Sequence, residues 1–402
     1  MRMPAAKISQ KAKEAILLGG TCAVTYLIVY VVRNVLGTVS NQMVLQGVFD
    51  KEFVGTLSSV FFVCYAIGQL VNGTIGNYVK SRYMICGGLL LAAAAHYAFS
   101  LYPASVPAAF VMYGACGFFL SMIYAPMVKL VADSVEPIYA TRCGTSYSFS
   151  MFFGSPLAGL LAAFLSWRGV FAVSSIALVV MSVSCFTLFG IFEKRGIIQY
   201  PQRVKAERRG GNLKALVEHQ IIRFTFVSMF TGIIRTTVIF WLPTYIAEYL
   251  GFPEKEASLI FSVATLAISA SAFVALGVYE KLGRNMSRAV LLFFAVSAVM
   301  FLLVYLTKAP LFNIVFIILA ILASNSASSI LWSMYCPSLA NTGMVSGATG
   351  YLDFVSYMSA AISSVVFANA VDAIGWGNLV LVWCGLMVAG VAISLPGQKR
   401  RK

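Results

Sequence analysis

The sequence predicts an all-α membrane protein of twelve transmembrane helices, arranged as two pseudo-symmetric six-helix bundles. Three observations predict this fold: an apolar composition, twelve apolar segments of spanning length, and a one-sided distribution of basic residues. Of the 402 residues, 60% are hydrophobic and 11% are charged, whereas a soluble domain of this size carries about 25% charged residues. Such a chain cannot cover its surface with polar groups in water, and its natural solvent is the lipid bilayer.

Twelve segments are each long enough to cross a bilayer, which needs about 20 apolar residues in a helix. The first of them follows a basic, polar stretch and is too long for the apolar core of a signal peptide, so we expect it to be a span. The predicted spans are 15–40, 53–76, 83–101, 106–132, 144–165, 170–192, 220–247, 256–279, 288–307, 310–335, 344–371 and 375–395.

Lysine and arginine are concentrated in the loops of one side. An even number of spans places both termini on that side, which receives 22 of the 29 basic residues, against 4 on the other side and 3 inside spans. Cytoplasmic loops carry the excess of Lys and Arg, so we expect a multi-pass protein of the cell membrane with cytoplasmic N- and C-termini. The net charge of +15 is then a matter of topology, and no nucleic-acid partner is expected.

The chain divides almost in half at its one long polar segment. We predict an N-terminal six-helix half at 1–192, a basic cytoplasmic linker at 193–219 and a C-terminal six-helix half at 220–402.

The two halves also repeat each other's landmarks. Trp167 follows the fifth span and Trp376 the eleventh, while Arg33 lies in the first span and Arg235 in the seventh. Repeated halves are the architecture of many secondary transporters, whose substrate site lies near the membrane midplane between the repeats.

Arg33 and Arg235 are each the only charge within a long apolar stretch, near its middle. A charge at the bilayer centre costs roughly 2.5–3.5 kcal/mol on insertion scales, so such residues are functional candidates. The one clear intramembrane acid, Asp353, cannot neutralise two guanidinium groups, and the excess positive charge favours an anionic ligand. Arginine suits the task because its planar donor fork binds phosphate or carboxylate through two parallel hydrogen bonds.

Polar side chains share a face with Arg33 in the first span and form a second row in the next one. Residues three and four apart lie on one side of a helix, so the pattern predicts cavity lining; ordinary interhelical packing is the alternative. The two rows are Tyr26, Tyr30, Arg33, Gly37 and Asn41, and Tyr65, Gln69 and Asn72.

Motifs of catalysis are missing from the sequence. There is no G-x-x-x-x-G-K-[ST] phosphate loop and no recognisable nucleophile constellation, and the eight cysteines include no C-x-x-C pair. We therefore expect a carrier rather than an enzyme, with no cofactor and no metal.

The run YVVRN in the first span and IIRTTVIFWLPTYI in the seventh carry a family resemblance, together with the central linker and the charged loops after spans two and eight. The chain resembles the major facilitator superfamily over its whole length, and within it the organophosphate:phosphate antiporters. The resemblance implies that Arg33 and Arg235 clamp a substrate phosphate, that Tyr245 lines the site, and that the two halves rock about it. It also implies gating roles for Arg82, Glu280, Lys281 and Arg284.

The chain departs from that family at several positions. Ser150 and Met151 stand near the place of a family histidine, Asn34 replaces a lysine, Asn77 and Tyr78 replace an Asp-Arg pair, and Asp353 replaces a small residue.

We therefore expect a secondary active transporter of a small organic anion, a phosphate ester exchanged for inorganic phosphate by alternating access. Two alternatives stay open. One is a proton-coupled carboxylate symporter that uses Asp353, and the other is a sugar-phosphate receptor that does not transport. The expected partners are a small anionic substrate, phosphate or a proton as coupling species, and the lipid bilayer.

Overall fold

The computed structural model describes residues 9–75, 79–101, 106–200, 220–339 and 345–395, and its regular secondary structure there is helical. We number the membrane helices α1 to α12. The first six are α1 (Gln10–Leu45), α2 (Lys51–Ile75), α3 (Ser81–Leu101), α4 (Val106–Ser134), α5 (Pro137–Phe164) and α6 (Trp167–Lys194). The second six are α7 (Ile221–Glu248), α8 (Glu254–Lys281), α9 (Met286–Leu306), α10 (Pro310–Tyr335), α11 (345–374) and α12 (376–394).

The prediction of twelve helices is confirmed, although α11 and α12 form one continuous helical run, Val345–Ser394. That run breaks at Gly375, whose φ of 76° lies in the left-handed region that glycine adopts without a steric penalty. The chain turns there without a loop, and the apolar run continues on either side.

The outer surface of the bundle is apolar, as lipid contact requires. Large hydrophobic side chains point outward at more than 60% exposure, for example Val111, Leu311 and Phe273. Helices are suited to this solvent because they satisfy their own backbone hydrogen bonds, which lipid cannot do. Among the described residues, ten helices are long and apolar enough to span a membrane; the segment Phe153–Phe164 of α5 is a shorter apolar helix, and the tenth of those spans contains both α11 and α12.

We call the end of the bundle where α1 begins the proximal end and the opposite end the distal end. Helices from the two halves approach closely near the distal end, and glycine makes each approach possible. A Cβ at Gly37 of α1 would lie 2.9 Å from the backbone oxygen of Phe240 in α7, and one at Gly55 of α2 would lie 3.0 Å from the backbone oxygen of Ser364 in α11.

The third approach joins α5 to α8. A Cβ at Gly159 would lie 2.7 Å from the ring of Phe261 and 3.0 Å from the backbone oxygen of Ser258. Small residues let helix backbones pack at short distance in membranes. The three pairs together close the two halves against each other at the distal end.

Polar contacts join the halves at the same end. The hydroxyls of Ser40 and Thr244 are 2.8 Å apart, and Asn41 donates to Glu254 over 3.0 Å. Lys51 Nζ lies 2.7 Å from Glu248 and 4.0 Å from Asp372. A lysine of the first half is thus paired with carboxylates of the second.

Replacing Lys51 and Glu248 by glutamine, singly and together, is expected to reveal an ion-pair coupling of about 1 kcal/mol. The pair is only about one-fifth exposed, so solvent screens it incompletely. A double-mutant cycle on the free energy of unfolding in detergent measures the coupling. Strictly additive effects of the two substitutions would show that the contact contributes nothing.

Equivalent tryptophans occupy equivalent places in the halves. The indole of Trp167, at the start of α6, donates to Gln46 just past the end of α1 over 3.1 Å. The indole of Trp376, at the start of α12, donates to Glu248 at the end of α7 over 3.2 Å. In each half one indole ties the sixth helix to the first.

The predicted linker lies mostly outside the described residues, as do Asn77 and Tyr78. Its first residues fold back onto the proximal end of the first half. Arg82 at the start of α3 donates to Glu193 at the end of α6 over 2.9 Å, and Tyr200 donates to the same carboxylate over 2.8 Å. Burial, followed by this hydrogen bond to Glu193, raises the pKa of the Tyr200 phenol above its usual value.

Candidate functional site

Arg33 lies in α1 inside a cage of three tyrosine rings. Its Cζ is 4.9 Å from the ring centre of Tyr30, 4.8 Å from that of Tyr65 and 5.1 Å from that of Tyr357. Cation–π contacts of this kind are worth about 0.5–2 kcal/mol each, more when water is excluded. They hold the guanidinium without neutralising it, and its buried Nη1 has no hydrogen-bond partner among the described residues.

Arg235 lies in α7 within a π-helical segment, Ile234–Val238. A π-bulge shifts the register of the backbone ladder by one residue and is frequent at functional sites. The guanidinium Nη2 donates to the hydroxyl of Ser356 in α11 over 3.3 Å. Its buried Nε has no partner in the part of the chain that the structure describes.

Tyr357 connects the two arginines. Its ring centre is 5.1 Å from Arg33 Cζ and 6.0 Å from Arg235 Cζ, and it packs edge-on against Tyr65 at 5.0 Å. One residue of α11 therefore contacts both cations, one from each half. Sequence reasoning missed Tyr357; the available signal was its position one helical turn after Asp353.

Asp353 lies near both arginines without pairing with either. It interacts electrostatically with Arg235 and, less strongly, with Arg33. Among the residues that the structure describes, no carboxylate lies within 4.0 Å of either guanidinium. Two arginines and one aspartate leave the site with one positive charge in excess, and the two arginines repel each other.

Tyrosines extend the wall of the first half away from Arg33. Tyr26 stacks on Tyr124 with ring centres 5.0 Å apart, and it meets Tyr30 edge-on at 5.1 Å. Tyr124 of α4 was also missed from the sequence. It is 38% exposed, so its ring is accessible from outside the packed interior.

Two other residues predicted for the site, Asn41 and Tyr245, have their polar partners outside it. Asn41 shares the face of Arg33, but it is two turns closer to the distal end, where it bonds Glu254. The Tyr245 hydroxyl donates to buried Asn313 over 2.7 Å. Gln69 is half-buried on α2.

The residues predicted to gate lie at the proximal end. Arg82 is paired with Glu193 within the first half. Glu280, Lys281 and Arg284 are exposed at the end of α8 and in the turn that follows it.

Comparison with known proteins identifies the family. The sequence profile of the Major Facilitator Superfamily matches residues 22–364. The chain belongs to this superfamily. The resemblance to this superfamily drawn from the sequence is thereby confirmed.

Curated members of the superfamily that match the chain are named as transporters of phosphate esters. A probable hexose phosphate transport protein of Chlamydia muridarum is 21% identical over 54% of this chain and 53% of its own length. A glycerol-3-phosphate transporter of Bacillus subtilis is 22% identical over 52% of each chain. The chain thus spans about half the length of these two relatives. A phosphoglycerate transporter protein of Salmonella typhimurium is 23% identical over 90% of this chain and 84% of its own.

Solved structures of the superfamily share the fold over nearly the whole chain. A D-xylose-proton symporter has a TM-score of 0.70, with 12% identity over 96% of this chain and 98% of its own. The nucleoside transporter NupG has a TM-score of 0.71, with 12% identity over 94% and 98%. At this identity the likeness concerns the fold alone.

Proposed function

We propose that this protein is a secondary active transporter that exchanges a phosphate ester for inorganic phosphate by alternating access, with Arg33 and Arg235 clamping the anion. The observation that carries the proposal is the pair of arginines itself. They come from the first helix of each half, no carboxylate of the described residues lies within 4.0 Å of either guanidinium, and both contact the ring of Tyr357.

The arginines offer donors that no described residue satisfies. Arg33 Nη1 and Arg235 Nε are buried without partners among the described side chains, and an unpaired charged donor costs more than the 1–3 kcal/mol of a neutral one. Phosphate oxygens accept several hydrogen bonds at once and bring the missing negative charge. The relatives named for hexose phosphate, glycerol-3-phosphate and phosphoglycerate support this choice of ligand.

The closed distal end supports alternating access. The contacts at Gly37, Gly55 and Gly159 and the Lys51–Glu248 pair block the path from the arginines to that side. Access to the distal side requires these contacts to separate while the anion stays between the halves. In this proposal the proximal end, with both termini, faces the cytoplasm, and its charged residues Arg82, Glu280, Lys281 and Arg284 close that end in the opposite state.

Reconstituted vesicles test the function. Purified protein in phosphate-loaded liposomes is expected to take up radiolabelled phosphate by exchange, and external glycerol 3-phosphate, hexose 6-phosphate or 3-phosphoglycerate is expected to compete. Dicarboxylates of similar size are expected to compete poorly. Phosphate uptake no faster than in protein-free liposomes would refute the proposal.

Asp353 supports a second candidate, proton-coupled carboxylate uptake, because it is an intramembrane acid that interacts with both arginines. The two candidates differ in the result of Asp353→Asn. If the protein exchanges phosphate, the Asp353→Asn variant is expected to remain active in transport. The greater positive charge of its site is expected to tighten anion binding several-fold. Under proton coupling the substitution abolishes uptake driven by a pH gradient. Phosphate exchange and pH-driven carboxylate uptake, measured in the same vesicles, separate the candidates.

A further inference from the structure

Helix α10 carries polar atoms that nothing in the described chain satisfies. Ser324 Oγ, Asn325 Oδ1 and Ser328 Oγ are buried without a hydrogen-bond partner. Buried polar groups are paired in the great majority of cases, and a cluster of exceptions calls for an explanation. These three fall within five consecutive residues at the middle of the helix.

The packing of α10 shows where this polar stretch points. Ala320 accepts from Ser297 of α9, and Ser326 donates to the backbone of Ser271 in α8. At about 100° per residue, Asn325 and Ser329 lie roughly 140° and 180° round the helix from Ala320. They therefore face away from α9, and both are half-buried rather than enclosed. Ser324 and Ser328, at about 40° and 80° from Ala320, lie on the inner side of α10 and are fully buried, so of the three unpaired atoms only that of Asn325 lies on this face.

The same stretch lies level with the arginines. From Arg235 to the distal end of α7 at Glu248, the helix rises about 20 Å, and from the distal start of α10 at Pro310 to Asn325 it rises about 22 Å. Helix α10 packs against the π-helical segment that holds Arg235. A second π-helical segment, Leu331–Tyr335, begins two residues after Ser329.

We propose that Asn325 and Ser329 bind a hydroxyl group of the substrate's carbon skeleton, so that the substrate is a phosphate ester that carries at least one hydroxyl group. This inference rests on the proposed function, which supplies the phosphate site. The tyrosine wall of the first half offers ring faces to the skeleton, and α10 offers hydrogen bonds from the second half.

The chemistry of the two side chains fits hydroxyl groups. An asparagine amide both donates and accepts, and the Oδ1 of Asn325 is unpaired. The Ser329 hydroxyl donates to the backbone oxygen of Asn325 over 3.0 Å, which leaves its lone pairs to accept. A hydroxyl is at once donor and acceptor and satisfies both residues. An ester without hydroxyls leaves them unpaired, and sites built this way reject such analogues.

Competition against radiolabelled phosphate exchange tests the inference with two probes, glycerol 3-phosphate and methyl phosphate. The wild-type protein is expected to prefer glycerol 3-phosphate by about tenfold or more, the factor that one well-placed hydrogen bond supplies. Asn325→Ala is expected to weaken competition by glycerol 3-phosphate about tenfold relative to competition by methyl phosphate. Ser329→Ala should act in the same direction with a smaller effect.

Ser326→Ala is the matched control, since its hydroxyl already donates to Ser271 and Leu322. It is expected to keep wild-type selectivity. A variant that exchanges phosphate is folded. If Asn325→Ala does not exchange phosphate, the competition ratio of Ser329→Ala decides whether the inference holds. Exchange with an unchanged ratio between the two probes overturns this inference alone, whereas no exchange by the wild-type protein overturns the proposed function and the inference with it.

Discussion

Replacing either Arg33 or Arg235 by glutamine is expected to lower phosphate exchange roughly a hundredfold. Each guanidinium contributes hydrogen bonds to a charged oxygen, worth about 1.5–3 kcal/mol, and every 1.4 kcal/mol is about tenfold. The lysine variants should fall between wild type and glutamine, because lysine keeps the charge but loses the planar fork. Initial rates of radiolabelled phosphate uptake into phosphate-loaded liposomes measure the effect.

Arg168→Gln is the control, because Arg168 is an exposed arginine at the start of α6, where its guanidinium lies over the ring of Trp167. It is expected to exchange phosphate at the wild-type rate. Arg33→Lys and Arg235→Lys variants that both exchange normally would show that the arginines do not clamp the anion. The arginine pair would then have a structural role, and other groups of the protein would balance its positive charge.

Gly37→Leu is expected to reduce exchange at least tenfold by holding the distal end open. Even a Cβ at this position would meet the ring and the backbone oxygen of Phe240 at 2.9 Å, and overpacking of this kind costs about 1–3 kcal/mol. The cost falls only on the state in which α1 and α7 are in contact at the distal end. Gly20→Leu in the same helix is the matched control, since nothing lies within 4 Å of its Cβ position.

A thiol at position 40 reports the opening directly. Ser40 is buried and hydrogen-bonded to Thr244, so Ser40→Cys alone should react slowly with a membrane-impermeant thiol reagent. Combined with Gly37→Leu it should react quickly, and combined with Gly20→Leu it should stay slow. Equal reactivity in the two combinations would mean that the glycine contact does not control the distal end.

Much of this architecture is predictable because lipid imposes it. Each span must be apolar over a fixed length, so the boundaries of α2 and α3 differ from the predicted ones by at most two residues and those of α10 coincide with them. The two arginines stand out for the same reason, since a solitary charge in an apolar stretch has few harmless explanations.

Tyr357, Tyr124 and the π-helical segments were not predictable. A tyrosine in a span is consistent with packing as much as with a site, and helical periodicity gives the face of a residue without its depth. Asn41 illustrates the limit, because it shares the face of Arg33 but lies about 12 Å farther along α1. The π-helical register of Ile234–Val238 depends on how α7 packs against α10 and α11, which no local pattern records.

In the proposed alternating-access cycle, the two bonds of Glu248 differ in how long they last. Its Oε2 accepts from Trp376 within the second half and pairs with Lys51 of the first. When the halves separate, the lysine leaves while the indole keeps the carboxylate in place. When the halves close again, Lys51 therefore meets a carboxylate that is already oriented. Ordering the Glu248 side chain then costs no further conformational entropy in each cycle. Trp376 thus makes the distal ion pair easy to re-form without making it harder to break.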